Sequence, residues 1–234
     1  MNNKEFIENL GLLGIEPSEK QLQQLEQYYH LLIEWNKKIN LTAIIEKDQV
    51  YLKHFYDSLT VTKILDLNQE KSLCDIGTGA GFPGLVLKIF YPELHITLVD
   101  SLNKRITFLN EVISKLELQN IDTVHARAEE YAKENREKYD VVIARAVAPI
   151  NILLEYCIPM IKEDKYFISM KGDISREIMV LQNSLNKISA KLVRKVEFLL
   201  PFEESKRTLF LISKEKKTSI KYPRKNSEIK KNPL

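Results

Sequence analysis

The ten residues Asp75-Ile-Gly-Thr-Gly-Ala-Gly-Phe-Pro-Gly84 hold four of the chain's seven glycines. They follow the apolar run SLCDI (72–76) and precede the helix-like LVLKIF (85–90). Bare backbone between a strand and a helix aims free amides and the positive helix end at a ligand. The stretch therefore predicts an α/β fold that binds a nucleoside-bearing molecule.

Outward from this loop, short apolar runs alternate with amphipathic ones. Strands are predicted at 72–76, 95–99, 121–125, 139–144 and 166–170, with helical patterns such as LNKRITFLNEVISKL (102–116) between them. That alternation means a parallel sheet with right-handed crossovers. KLVRKVEFLL (191–200) and RTLFLIS (207–213), separated by a short stretch holding Pro201, Glu203 and Glu204, read as an antiparallel pair. A plain dinucleotide fold would continue instead with a helix and a sixth parallel strand. Residues 1 to about 68 read as helical. Ser18 and Gln21 make a capping box after Pro17, and Leu25, Tyr28, Leu32, Trp35 and Ile39 form one apolar stripe. The expected organisation is a helical region over 1–68, a Rossmann-like domain over 69–213 and a basic tail over 214–234.

At 234 residues, with 44% apolar and 29% charged side chains, the chain has an ordinary globular composition. No run of eighteen apolar residues occurs, and the acidic start MNNKEFIENLGLLGIEPSEK is unlike a signal peptide. A cytoplasmic location is expected. Cys74 and Cys157 lie in apolar segments and are expected to be buried thiols. The formal net charge is +3, but eight basic residues against Glu215 and Glu228 fall between Lys214 and the end, leaving the remainder slightly acidic. Such an arm suits a polyanion.

Two ligands fit the glycine pattern. Gly79, Gly81 and Gly84 satisfy G-x-G-x-x-G with Asp100 twenty-one residues after Gly79, as for a dinucleotide, while DIGTGAG is also the acidic-x-G-x-G-x-G loop of S-adenosylmethionine sites. Charge separates them. A pyrophosphate beside Asp75 would meet a like charge, whereas S-adenosylmethionine brings an ammonium and a sulfonium to the same place. Asp75, Gly77, Gly79 and Asp100 are thus candidate donor-binding residues, with Asp100 accepting from the ribose hydroxyls.

Methyl transfer to an amine or a pyrimidine carbon would call for a base or a cysteine nucleophile. At the end of the fourth strand, where amino-group methyltransferases carry Asp/Asn-Pro-Pro-aromatic, this chain reads IARAVAPI (143–150), and neither cysteine follows a proline. A ring nitrogen with a free lone pair, above all N7 of guanine, needs no base. The site would then position the base, and aromatic rings would tolerate the cationic product. His30, His54, His95 and His125 show no metal-ligand spacing, so no metal is expected.

These residues resemble the bacterial small-subunit ribosomal RNA methyltransferase G family, once called glucose-inhibited division protein B, over nearly the whole length. The matching pieces are WNKKINLTAI (35–44), HFYDSL (54–59), DIGTGAGFPG (75–84), LVDSLNKRITFL (98–109), ARAEEY (126–131), YDVVIARAVAPI (139–150), MKG (170–172) and YPRKNSEIKKNPL (222–234). The resemblance implies a class I S-adenosylmethionine-dependent methyltransferase: a mostly parallel seven-stranded sheet, a C-terminal antiparallel hairpin and an N-terminal helical region. It implies methylation of N7 of a guanine in the decoding-region loop of 16S rRNA, on free RNA or the small subunit; nothing in the sequence suggests an obligate partner subunit, so a monomer is expected. Its donor-binding positions fall on Gly77, Phe82, Ala128, Glu129 and Arg145, with Phe82 walling the pocket near the methyl group and Arg145 meeting either donor or RNA. Lys171, Arg224 and Lys225 would hold RNA backbone. Asn226 and Glu228 stand where the family usually has glycine and then proline. His54 and Asp57 face either the guanine pocket or each other. The competing readings are a nicotinamide-dependent oxidoreductase and a non-catalytic RNA-binding protein.

Overall fold

The structure, a computed structural model, describes residues 1–172, 174 and 177–234. Seven strands form one sheet: β1 (Ser72–Ile76), β2 (His95–Asp100), β3 (Ile121–His125), β4 (Tyr139–Arg145), β5 (Ile161–Lys171), β6 (Ala190–Leu199) and β7 (Lys206–Lys214). Their order is β3-β2-β1-β4-β5-β7-β6. The first five run parallel, and β7 enters antiparallel between β5 and β6. The predicted sheet and terminal hairpin are therefore present. β1 is central, pairing Asp75 with Leu98 on one side and Ile143 on the other.

The N-terminal residues fold into α1 (Asn3–Leu12), α2 (Glu19–Asn36) and a helical run made of α3 (Lys47–Val50), a π-helical turn (Tyr51–Tyr56) and α4 (Asp57–Leu59). The capping box at Ser18 and Gln21 is formed, and Leu25, Tyr28 and Leu32 are fully buried. These side chains join Leu85, Ile96 and Phe108 in one core. Two side-chain amides tie α2 to helix ends on this face: Gln21 donates to Ile89 O of α5 (Gly84–Phe90), and Gln24 donates to Leu116 O just after α6 (Asn103–Lys115).

The opposite face is covered by α7 (Ala128–Glu134), α8 (Ile150–Cys157) and α9 (Ile178–Ile188). The C-terminal segment is folded onto this side. It forms α10 (Asn226–Lys231), and its Tyr222, Ile229 and Leu234 belong to the second core. Both cysteines are buried and unpaired with one another.

A cavity pair at the carboxyl ends of the strands

Strand order reverses between β1 and β4, and there the carboxyl ends of the strands open into a cavity of about 500 Å³. Gly77 contributes backbone to it. A Cβ on Gly77 would lie 2.6 Å from Val147 Cγ2, so only glycine lets the segment after β4 approach this closely. Asp100 ends β2 with its side chain buried; Oδ2 accepts from the Gly79 amide at 2.9 Å, Oδ1 accepts from the Leu102 amide at 2.9 Å, and Arg105 Nη1 approaches to 3.2 Å. Gly79 thus acts through its amide, which orients Asp100. Ala128 and Glu129 open α7 on the same wall, and the buried Glu129 carboxylate benefits from the positive helix end.

Asp75 takes a different place from the one expected. It lies under the glycine loop and is absent from the cavity wall. One carboxylate oxygen accepts from Thr78 Oγ1 at 2.7 Å and from the Gly84 amide at 2.8 Å, while the other has no partner. Burial pushes this carboxyl up to about 6, against the lowering effect of the Thr78 and Gly84 hydrogen bonds. The residue staples the loop, and any attraction it exerts on a cation acts through the loop rather than by contact.

Phe82 also lies one layer behind the expected position. Its ring is buried and stacks on His54 with centroids 4.4 Å apart, and on Tyr28 at 5.5 Å, so it lines neither cavity. The reason is that HFYDSL packs the helical region directly onto the loop, which places His54 over the ring.

A second cavity of about 290 Å³ meets the first at Ala146, which lines both. Arg145, His54, Asp57, Lys171 and Arg207 surround it. Arg145 Nη1 donates to Asp57 Oδ2 and to Lys53 O, and its guanidinium lies 5.4 Å from the Phe82 ring centroid. Arg207 Nε donates to Asp57 Oδ1 at 2.9 Å. Asp57 is therefore forked between two guanidinium groups, and the cluster keeps a net positive charge. His54 and Asp57 both face this cavity and make no hydrogen bond to each other: His54 Nε2 pairs with Thr42 Oγ1 at 2.9 Å. Burial, then the Arg145 charge, pushes the His54 imidazole down to about 3, so the ring is neutral at pH 7. Lys171 reaches the cavity rim while donating to Ala148 O and pairing with Glu177.

Of the residues expected to hold RNA backbone, Lys225 is exposed, whereas Arg224 is committed internally. Its guanidinium grips Glu155, whose side chain is fully buried, through Nε at 2.8 Å and Nη2 at 2.6 Å. Cavity-lining residues that sequence reasoning missed include Ser101, Leu102 and Arg105 in the first cavity and Lys53 and Arg207 in the second. Only their closeness to Asp100 and HFYDSL could have marked the first four; Arg207 carries no local signal. Burial raises both cysteine thiols well above the usual range, which removes them as nucleophiles. Among the described residues no group of three His, Cys, Asp or Glu side chains could hold a metal, and no helix is long and apolar enough to cross a membrane.

A family model described as rRNA small subunit methyltransferase G matches residues 21–210. A Lysinibacillus sphaericus protein named ribosomal RNA small subunit methyltransferase G is 47% identical over the full length of both chains, and a Bacillus subtilis protein of the same name is 46% identical over all of this chain and 99% of its own. Among solved structures, the StiE O-methyltransferase segment superposes with a TM-score of 0.56 at 15% identity, covering 70% of this chain and 75% of that one. A 16S rRNA (adenine(1408)-N(1))-methyltransferase from Catenulisporales acidiphilia gives 0.53 at 16%, covering 66% and 94%. These two likenesses concern the fold.

Proposed function

The chain belongs to the rRNA small subunit methyltransferase G family, and on that premise we propose that it methylates N7 of a guanine in the decoding-region loop of 16S rRNA, using S-adenosylmethionine. Membership in a family of methyltransferases leaves the oxidoreductase and non-catalytic readings without support. The observation that carries the proposal is the pair of cavities joined at Ala146, one with Asp100, Glu129 and the bare backbone of Gly77 on its wall, the other with Arg145, Arg207 and Lys171 gathered around Asp57.

The first cavity fits the donor. Its volume lies in the range of small-molecule sites, and Asp100 and Glu129 offer acceptors for hydroxyl and amino groups. The wall also holds Arg105, Arg127 and Lys230, none of them on the glycine loop, which presents no cation to a pyrophosphate. Gly77, Asp100, Ala128 and Glu129 would hold the donor, with Gly79 and Asp75 keeping the loop in shape. S-adenosylmethionine, when bound, supplies a methyl group on a positively charged sulfur.

The second cavity suits the acceptor. Arg145, Arg207 and Lys171 bring positive charge to a nucleotide's phosphate, and Asp57 holds both guanidinium groups in one orientation. Among the described residues of that cavity no group is free to accept a proton: Asp57 is forked between arginines and His54 is a neutral ring bonded to Thr42. A guanine N7 offers its lone pair without losing a proton, so positioning in line is the work left to the protein. The enzyme is proposed to act as a cytoplasmic monomer. Mass mapping of 16S rRNA after incubation with protein and donor should find one added methyl on a guanine, with Asp100→Ala abolishing it. Transfer to another base or atom, or full activity in that variant, would overturn the assignment.

A further inference from the structure

The C-terminal segment is basic enough to pass for a loose RNA-binding arm, yet it reaches the first cavity. Asn226 and Lys230, both on α10, line that cavity together with Gly77, and Asn226 lies next to Tyr156 of α8. Three attachments hold them there. Arg224 forks onto the buried Glu155, which also accepts from the Arg224 amide at 2.7 Å. Tyr156 Oη donates to Asn226 Oδ1 at 2.9 Å. Arg136, from the loop after α7, donates to the carbonyls of Tyr222 and Thr218. Burial of Tyr222, Ile229 and Leu234, with Ser184 Oγ donating to the Leu234 carbonyl, completes the docking.

Glu155 is fully buried, and an unpartnered carboxylate there would be costly. The Arg224 fork therefore fixes where α10 begins, and with it the positions of Asn226 and Lys230. Resting on the donor reading above, we propose that residues 222–234 are an element of the methyl-donor site: Asn226 and Lys230 close the adenosyl-binding cavity, and Arg224 is the positioning residue that seats them. The segment would thus set donor affinity, beyond any contact it makes with phosphate.

S-adenosylhomocysteine binding to the full chain, followed by calorimetry without RNA, tests this. Lys230→Ala, which removes none of these attachments, should weaken binding severalfold with an unchanged melting temperature, and the double variant Asn226→Ala/Lys230→Ala should weaken it about three- to tenfold while melting slightly earlier through loss of the Tyr156 bond. Arg224→Ala should weaken binding at least as much and melt earlier, with Arg224→Lys recovering part of the affinity. Lys217→Ala, exposed and remote from the cavity, should bind as wild type. Wild-type affinity in the double variant, or losses that follow melting temperature alone, would overturn the inference while leaving the donor assignment intact. Failure of the wild-type protein itself to bind S-adenosylhomocysteine would remove both.

Discussion

His54 and Asp75 should make stability respond to acid in opposite senses, and substituting each separates them. The His54 imidazole is held down to about 3 in the fold, against 6.5 for a free side chain, chiefly by burial. As pH falls through 6.5 the unfolded chain takes up a proton that the native chain refuses, so this contribution is complete above 6.5 and is lost as pH falls toward 3. At pH 5 the loss is about 2 kcal/mol, from one and a half pH units at about 1.4 kcal/mol each. Asp75 behaves oppositely. Its carboxyl is raised to about 6 from 3.8, so the native chain binds the proton first, and the contribution is complete below 3.8 and lost as pH rises through 6. Between pH 7.5 and pH 5 it adds about 1.4 kcal/mol, from one pH unit below 6. In the wild type the two partly cancel. Urea unfolding of wild type, His54→Gln and Asp75→Asn at both pH values reads each contribution as a difference of differences, in which the pH-independent cost of either substitution drops out. The His54 variant should become less acid-sensitive by about 2 kcal/mol, and the Asp75 variant more acid-sensitive by about 1.4 kcal/mol. An acid response identical to wild type in His54→Gln would refute the account of a buried neutral ring.

Two further outcomes follow from packing. Gly84→Ala would drive a Cβ into the Leu98 side chain and within 2.8 Å of Asp75 Oδ2; overpacking of this kind costs about 1–3 kcal/mol, so the melting temperature should drop by several degrees. An unshifted melt would mean the loop seats less tightly than described. Asp57→Asn keeps the shape but strips the shared negative charge from Arg145 and Arg207. Stability should fall by about 2–4 kcal/mol, and methylation of RNA should fall with S-adenosylhomocysteine affinity preserved. A loss of donor affinity equal to the loss of activity would place Asp57 in the wrong cavity.

The parts of this fold that were legible in the sequence are those fixed by neighbours along the chain. Gly77 to Gly84 announced the loop because a strand-to-helix turn needs glycine backbone, and Ser18 with Gln21 announced α2 because a capping box is complete within four residues. Legibility ended where a side chain's direction depends on a distant partner. Asp75 was readable as the acid at a strand end, but its turn away from the cavity follows from the Gly84 amide beneath it; Phe82 withdrew because His54 covers it. The tail makes the point most fully. Counted along the chain its basic residues read as free charge, yet Lys214 is fully buried against Glu137 and the Ile161 carbonyl, and the half-buried Arg224 grips the fully buried Glu155, partners that lie far away in sequence. What remains exposed is lysine: 216, 217, 221, 225, 230 and 231. One of these, Lys230, lines the first cavity as well, the proposed donor site. A phosphate drawn to Lys230 or Lys231 would press on the short helix that, on the proposal above, closes the donor site, so salt that weakens RNA contact and substitutions that weaken donor binding would act on a single element. Donor and RNA affinities, which the sequence treats as separate properties of a loop and an arm, are expected to be linked through it.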